Sequence, residues 1–538
     1  MLGASLRGTL EGFPKTPRLG VQEGKRRRTQ RIEANVLSLH KSAMSSPLYL
    51  GIDQGSSSTK GLLVDACGRT VADFTAPVPP RVEVERSVEQ DAEGLLSSVV
   101  EIVLKAKQWA NDNDSKIEAA GLAVQRSGVL AWRASDGVPL HPVITWADTR
   151  TFPTIQSFGP HAERISELTG LPTIPNFAAG KIHLLQRKFL EPSVKVGTLE
   201  SFILYRLSAR QIFATEETMA ARTMLYAISA GAWSDSLCRD FKVDTARLAP
   251  IRPSLSAYAT FEGVPIVALL GDQQAAVLGR PGSAGYALLN LGTIASLVVE
   301  TGERIVQRTG LMTSVLYSRE DRETGKIRKE YIVEITSPIT GTVLMEPVRR
   351  GWCRDISELN EMCERSYQEN REASATAYFV NHRPSPPWYP ERTPNALFCK
   401  PGATAADRVR AIVENVGNLI VRMIEEFQDK GLLGPEENKE IVVTGGGSEL
   451  DYLLQYISDL TGRILHRMPT REATARGAAL AALLYAEKRM SVRDFTQEPP
   501  RKSYQPTSPE RRRRYLVWQK LEHDLLNGRV PSTVELEP

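Results

Sequence analysis

Cysteine is scarce in this chain of 538 residues. Its five thiols, Cys67, Cys238, Cys353, Cys363 and Cys399, are scattered, and none falls in a CxxC pair. That argues against a disulfide frame or a zinc site and fits reduced thiols in a cytoplasmic protein. Also missing is any apolar run near the ~20 residues a membrane span needs; the longest, Ala478 to Ala486, reads as a buried helix. An excess of one charge is absent too. Sixty-seven Lys and Arg against 63 Asp and Glu leave +4 overall, which gives no general affinity for nucleic acid. Nor is there a Walker loop: the Gly-rich turn near the N-terminus lacks the GK[ST] ending and the following helix.

What is present is a globular composition, 41% hydrophobic and 24% charged, at a length suited to two large domains or three small ones. The charge is uneven. Residues 1–43 hold nine basic residues against three acidic, densest at Lys25-Arg26-Arg27-Arg28. Such a start reads as a disordered leader, a transit peptide, a nucleic-acid arm, or translation from upstream of Met44. A second run, Arg511 to Arg514, precedes Tyr515–Leu521 and is expected to be the solvated start of a C-terminal helix.

Strand signals alternate with helical ones along the chain. Leu48–Ile52 and Leu62–Val64 read as strands joined by Asp53 to Gly61, a hairpin rich in Gly and hydroxyl residues. The same pattern returns at Ala287–Val299 around Gly292 and Thr293, roughly 240 residues later, which suggests a duplicated α/β domain. Ile117–Val124, Ile266–Leu270 and Ile441–Val443 read as further strands. Arg164–Leu168, Gly197–Leu207 and Ala406–Gln428 read as helices. The expected architecture is mostly parallel sheet with hairpins at one edge. Residues 379–403, rich in Pro and aromatics, read as a domain edge or loop layer.

Three sites carry potential chemistry. The first hairpin turn offers Ser56, Ser57, Ser58 and Lys60 as phosphate donors, with Asp53 placed to hold Mg²⁺ through water; the alternative is a plain polar hairpin. Gly445-Gly446-Gly447 after a strand would let a nucleotide approach the backbone closely, or is an ordinary strand–helix connection. Asp272 ends a strand at mid-chain, where α/β folds place ligand groups; the alternative is an N-cap for Ala275–Leu278.

Taken in order, these signals resemble the FGGY carbohydrate kinases, and among them the glycerol kinases. The matching segments are Gly51–Lys60, Gln125-Arg126 with Trp132, Ile144–Thr151, Gly197–Ser201, Ala221–Leu225, Gly271–Ala276, Gly292-Thr293, Gly445–Gly447 with Asp451 and Gln455, and Glu472–Ala479. The resemblance implies two duplicated RNase H-like domains, as in actin and hexokinase, around a central cleft. It places a leader at 1–43, an N-terminal domain at 44–268, a C-terminal domain at 269–490 and a tail or helix at 491–538. It also implies ATP-dependent phosphotransfer to a polyol or sugar, with Mg²⁺ at Asp53. Asp272 would be the general base. Arg126, Ser127, Trp146, Asn176 and Gln273 would face the acceptor, and Ser56–Ser58, Lys60, Gly292, Thr293, Gly445–Gly447 and Asp451 the nucleotide. A homodimer or homotetramer is the assembly such a family allows.

The departures bear on substrate. Glycerol kinases follow the Gln-Arg pair with Glu and Thr, where Ser127 and Gly128 stand here. They carry Tyr at the position of Asn176 and an aromatic at that of Ser296. A carboxylate, a phenol and an aromatic wall are thus gone, and a roomier polar pocket suits a larger polyol or sugar. Glu334-Ile335-Thr336 replaces Glu-Gly-Ser, and Thr444 replaces an acidic residue, changes expected to touch the adenine site and closure. Two other readings stand beside the kinase: a weakly active nucleotide- or sugar-binding protein acting through a partner, and an actin- or chaperone-like ATPase.

Overall fold

The computed structural model describes residues 47–529 apart from 281–286, 293, 338–339, 371, 373, 380–395, 435–439, 470–471, 490, 492–494, 496–498 and 528. The basic leader, Thr293 and most of the Pro-rich stretch, Pro384 to Pro390 included, therefore lie outside the described residues. Thirteen strands form the main sheet: β1 Leu48–Gln54, β2 Ser58–Val64, β3 Thr70–Pro77, β4 Ile117–Val124, β5 Leu255–Phe261, β6 Val264–Gly271, β7 Ala287–Leu291, β8 Ala295–Gly302, β9 Met312–Glu320, β10 Ile327–Ser337, β11 Glu440–Thr444, β12 Ile464–Arg467 and β13 Lys502–Tyr504. The helices that matter here are α1 Ala92–Asp112, α2 Ala178–Lys188, α3 Glu217–Ala220, α4 Asp272–Leu278, α5 Ala405–Asp429, α6 Asp451–Thr461, α7 Ala473–Ala486 and α8 Arg512–Leu526.

Across the sheet the order is β13-β12-β11-β7-β8-β10-β9-β5-β6-β4-β1-β2-β3. It divides into two related halves. In the first, β1 pairs with β2 antiparallel and with β4 parallel; in the second, β7 pairs with β8 antiparallel and with β11 parallel. The expected duplication is thus visible in the ladders. The sheet is mixed rather than mostly parallel, and its hairpins sit inside it, because each returning strand is itself covered by another. One ladder pair, Leu255 with Arg319, joins the halves.

Each half covers its sheet with helices whose apolar positions recur at helical spacing. On the first half, α1 buries Leu95, Val99 and Ile102 beneath β1–β3, and Asp91 caps it by accepting from the Gly94 amide. On the second, α5 buries Ile412, Val416 and Ile420 and starts with a capping box of Thr404 and Asp407. Between the halves run α4 and α7: α7 is Ala-rich and buried along most of its length, and α4 buries Ala275 to Leu278 behind the polar first turn that carries Asp272. They touch backbone to backbone: a Cβ on Gly477 would collide with the Ala275 carbonyl, and one on Gly51 with the Ala475 carbonyl. Only glycine permits that approach.

Three local expectations change. The first turn is shorter than it reads, because Asp53 pairs with Lys60 and Gln54 with Thr59, leaving only Gly55 to Ser58 outside the β1–β2 ladder. Gly197 and Thr198 end a strand, Val194–Thr198, and the helix begins at Leu199. Arg511 is not solvated: it is buried over the rings of Tyr367, Tyr452 and Tyr456, with its Nε 3.4 Å from Asp459. The C-terminal segment is part of the second half, with β13 extending the sheet and Trp518 of α8 in the core. All five cysteines are free, and no described helix is long and apolar enough to cross a membrane.

Candidate active site

Where β6 ends, Gly271 caps α4 and Asp272 is its first residue, so Asp272 is not the side-chain cap of that helix. Its Oδ1 accepts from the Gln273 amide at 2.8 Å and lies 3.1 Å from Arg126 Nε. Among the described residues Oδ2 has no hydrogen-bond partner, and the side chain is 31% exposed. Arg126 follows the end of β4. Its Nη1 lies 3.3 Å from both oxygens of Glu334, a fully buried residue of β10. Arg222, just after α3, pairs with the same carboxylate and lies 4.9 Å over the Phe177 ring. Two guanidiniums and two carboxylates thus share one buried site, which makes each charge tolerable only in company.

The electrostatics separate the carboxylates. Burial would raise Glu334, but Arg126 and Arg222 hold it below its ordinary value. Burial raises Asp272, with Arg126 only partly opposing. Asp53 is pushed up to about 7, by burial first and then by the charge of Asp272, against the pull of Lys60. A carboxylate destabilised by a like charge is a ready site for a cation, and one with an open oxygen can take a proton.

Around this centre, Lys181 of α2 is wholly buried. Its Nζ donates to the carbonyls of Ser127 at 3.1 Å, Thr145 at 2.8 Å and Asn176 at 2.8 Å, and burial lowers it to about 7. Asn176 in turn donates to the Trp146 carbonyl at 3.1 Å. One ammonium therefore ties together the segments bearing Ser127, Trp146 and Asn176. Ser127 has φ of 63° and sits under the Arg222 carbonyl. Ser296 lies across the ladder from Asn290 and Thr336; among the described residues its Oγ is buried without a partner, as is Arg222 Nε. Asn290 also donates to Gln273 at 3.3 Å.

The first hairpin turn adjoins this cluster. Gln125 donates to Gln54 and Gln90, and Gln90 donates to the Ser56 carbonyl at 3.1 Å. Ser56 and Ser58 are partly exposed, and Ser57 is exposed. Lys60 forms an ion pair at 2.7 Å with Glu472, at the start of α7. On the other side, Gly445 has φ of 87°, and a Cβ there would stand 2.7 Å from Asn290 Oδ1 and from the Leu291 carbonyl. The triple-glycine turn therefore lies against the β7 end that leads to Gly292, with Gly446 exposed and open. Asp451 is occupied differently. Its carboxylate accepts from Arg467 at 2.6 Å, Tyr504 at 2.6 Å and Lys502, which hold it near about 2 despite burial.

The sequence reading missed Lys181, Arg222, Glu334 and Glu472 as parts of the site. Arg222 and Glu472 stand in segments that carry the family resemblance, whereas Glu334 stands in a departure from it that is expected to touch the adenine site and closure. The ladder puts it opposite Met312 and Val298, facing Arg126. Nothing in the pattern around Lys181 announces that its charge is buried.

Two duplicated half-sheets that meet through paired helices, with Gly-rich turns at their strand ends, define a two-domain sugar-kinase fold. The FGGY family of carbohydrate kinases matches this chain over residues 48–279 with its N-terminal domain and 287–486 with its C-terminal domain, so the chain belongs to that family. It is an ATP-dependent carbohydrate kinase. A glycerol kinase of Xanthobacter autotrophicus is 30% identical over 80% of this chain and 89% of its own length. The structure of Plasmodium falciparum glycerol kinase with ADP superposes with a TM-score of 0.79 at 21% identity, covering 90% of this chain and 99% of that one. A ligand-bound xylulose kinase of Lactobacillus acidophilus gives 0.74 at 18% identity, covering 90% and 99%.

Proposed function

We propose that this kinase transfers the terminal phosphoryl group of ATP to a hydroxyl of glycerol or a related polyol or sugar, with Asp272 as general base. One observation carries this: Asp272 has one oxygen fixed by Arg126 and the Gln273 amide while the other is open. The open oxygen takes the acceptor proton as the new O–P bond forms and the bond to the ADP leaving group breaks. Arg126 holds the base in place and, with Gln273, donates to acceptor hydroxyls. Ser56–Ser58 and Lys60 line the phosphates, and Gly292, Thr293 and Gly445–Gly447 accommodate the nucleotide.

The raised carboxyl of Asp53 fits a divalent cation, and Asp53 would hold Mg²⁺ through its hydration shell. Bound there, Mg²⁺ supplies neutralisation of charge on the transferring phosphoryl. The acceptor pocket favours a molecule larger than glycerol. Ser127, Asn176 and Ser296 are small and polar, and the unpartnered Ser296 Oγ and Arg222 Nε leave hydrogen-bonding capacity for further hydroxyls.

The test is an ADP-release assay with Mg²⁺-ATP and a panel of glycerol, tetritols, pentitols, ketopentoses and ketohexoses. Asp272→Asn is expected to lower acceptor-dependent turnover by about 10²–10⁴-fold, the usual range for loss of a general base, while ATP binding stays within a few-fold of wild type. Turnover retained in the variant removes Asp272 from the chemistry.

A further inference from the structure

Asp272 is held by its side chain through Arg126, but the backbone just before it is held from a different direction. The Gly271 amide donates to Thr218 Oγ1 at 2.7 Å. Because that oxygen accepts, the Thr218 hydroxyl proton must go elsewhere, and it goes to Glu216 Oε1. Glu216 is completely buried. Its carboxylate also accepts from the amides of Thr218 and Met219, both at 2.7 Å, and from Ser254 Oγ at 2.8 Å. Four donors converge on it, which is how a buried carboxylate is satisfied without a cation. The Gly271 α-carbon is itself crossed by Arg126: a Cβ there would stand 2.8 Å from Arg126 Cδ.

The same short helix, α3, thus reaches Asp272 twice. At its start, Glu216 and Thr218 fix the amide that precedes the base. At its end, Arg222 pairs with Glu334, which pairs with Arg126, which meets the Asp272 carboxylate. Ser254 ties Glu216 to the sheet and not to the base, since its hydroxyl accepts from the Ser318 amide and its own amide donates to Ser318 Oγ at 3.0 Å. These two serines flank the lone ladder pair that joins the half-sheets.

We propose that Glu216 and Thr218 are positioning residues for phosphoryl transfer: the buried carboxylate orients the Thr218 hydroxyl, whose oxygen fixes the Gly271 amide and thereby the base at the head of α4. The proposal rests on the reading of Asp272 as general base. Its effect belongs in turnover and not in ATP affinity, because neither residue contacts the phosphate or triple-glycine turns. A base displaced by a fraction of an ångström loses its alignment with the hydroxyl while the nucleotide cleft is unchanged.

The experiment uses the full-length protein, the best acceptor of the panel, and four variants. Thr218→Val keeps the shape and removes the oxygen; kcat is expected to fall on the order of 10-fold or more, with KM for ATP within about 2-fold of wild type. Thr218→Ser restores the oxygen and is expected to recover kcat. Glu216→Gln, which cannot accept from all four donors, is expected to lower kcat with the same KM pattern and serves if Thr218→Val does not fold. Ser254→Ala removes a Glu216 partner but leaves the Thr218–Gly271 bond, and is expected to lower thermal stability with kcat preserved. A folded Thr218→Val with wild-type kcat overturns the proposal. So does a Thr218→Ser as slow as the valine variant, or a Ser254→Ala as slow. Wild-type protein without Asp272-dependent turnover instead overturns the kinase reading itself, which separates the two failures.

Discussion

Two ionic clusters in this molecule use the same residue types to opposite ends. Around Asp272, two arginines serve two carboxylates, yet Asp272 and Asp53 are both held above their ordinary range and one Asp272 oxygen stays open. Around Asp451 and Glu414 every oxygen is taken. Asp451 has Arg467, Lys502 and Tyr504, and Glu414 has Arg410, Arg514 and Tyr452. The first cluster stores unspent charge and hydrogen-bonding capacity where a substrate would bring partners. The second is complete, and it fastens β13 and α8 to the second half. Unfinished electrostatics in a cleft mark chemistry, and finished electrostatics mark assembly.

Substitutions can sharpen or break that contrast. Glu334→Gln should have the largest effect on stability, because it leaves Arg126 and Arg222 buried without their carboxylate. Breaking such a buried pair costs about 3–5 kcal/mol, readable by denaturant unfolding, and the acceptor KM should rise with it. A variant as stable as wild type means the pair is not load-carrying in the fold.

Lys181→Met should come next. It strands three carbonyls but also removes a buried charge, so the net cost should stay at about 1–3 kcal/mol, that of a single unsatisfied group, and it should raise the acceptor KM by loosening the segments of Ser127, Trp146 and Asn176. Lys181 also makes a pH prediction. Its ammonium is lowered from 10.5 to about 7 in the folded protein, so between those values the unfolded chain binds the extra proton. Wild-type stability should therefore gain a component that rises with pH from about 7 towards 10.5 and is absent below about 7, and the methionine variant should lose that component. An unchanged slope refutes the assignment.

Asp451→Asn should cost less, since the carboxylate is more than a third exposed and its pairs are screened by water. A drop of a few degrees in Tm is expected, of the order of 1 kcal/mol for a chain this long, with KM for ATP unchanged. Held down near about 2, Asp451 stabilises the fold above its ordinary value of 3.8, and that contribution should vanish as pH falls to about 2. A large rise in KM for ATP would instead put Asp451 in the nucleotide site. The mildest change is Ser127→Glu, which should raise any glycerol activity if the pocket is otherwise family-like; no gain means a differently shaped pocket.

Much of the scaffold was legible from the chain itself. The strand at Ile117–Val124 and the long helix near Ala406–Gln428 coincide with the elements observed, because their apolar periodicity is strong. Gly197 misled because a strand ends and a helix starts within two residues, and no punctuation separates them. Arg511 misled because a run of arginines normally faces water; three tyrosines from distant segments make a buried face for it. At the site, Asp53, Lys60, Arg126 and Asp272 could be picked out since each stands beside a turn or strand end in a dense motif. Arg222 and Glu334 are 112 residues apart, and Lys181 meets three carbonyls from three segments, so neither contact has a local pattern to betray it.

Turn chemistry and periodicity act over a few residues, so the two hairpins, the strand-end aspartate, the glycine turn and their order can be read directly along the chain. Which charges face one another was settled only in the closed fold. It paired Glu334 with two arginines, sent Asp451 to the C-terminal strand, and hung the Gly271 amide from Thr218. Those outcomes depend on desolvation and on distances between segments far apart in the chain, and both arise only when the two half-sheets close on each other.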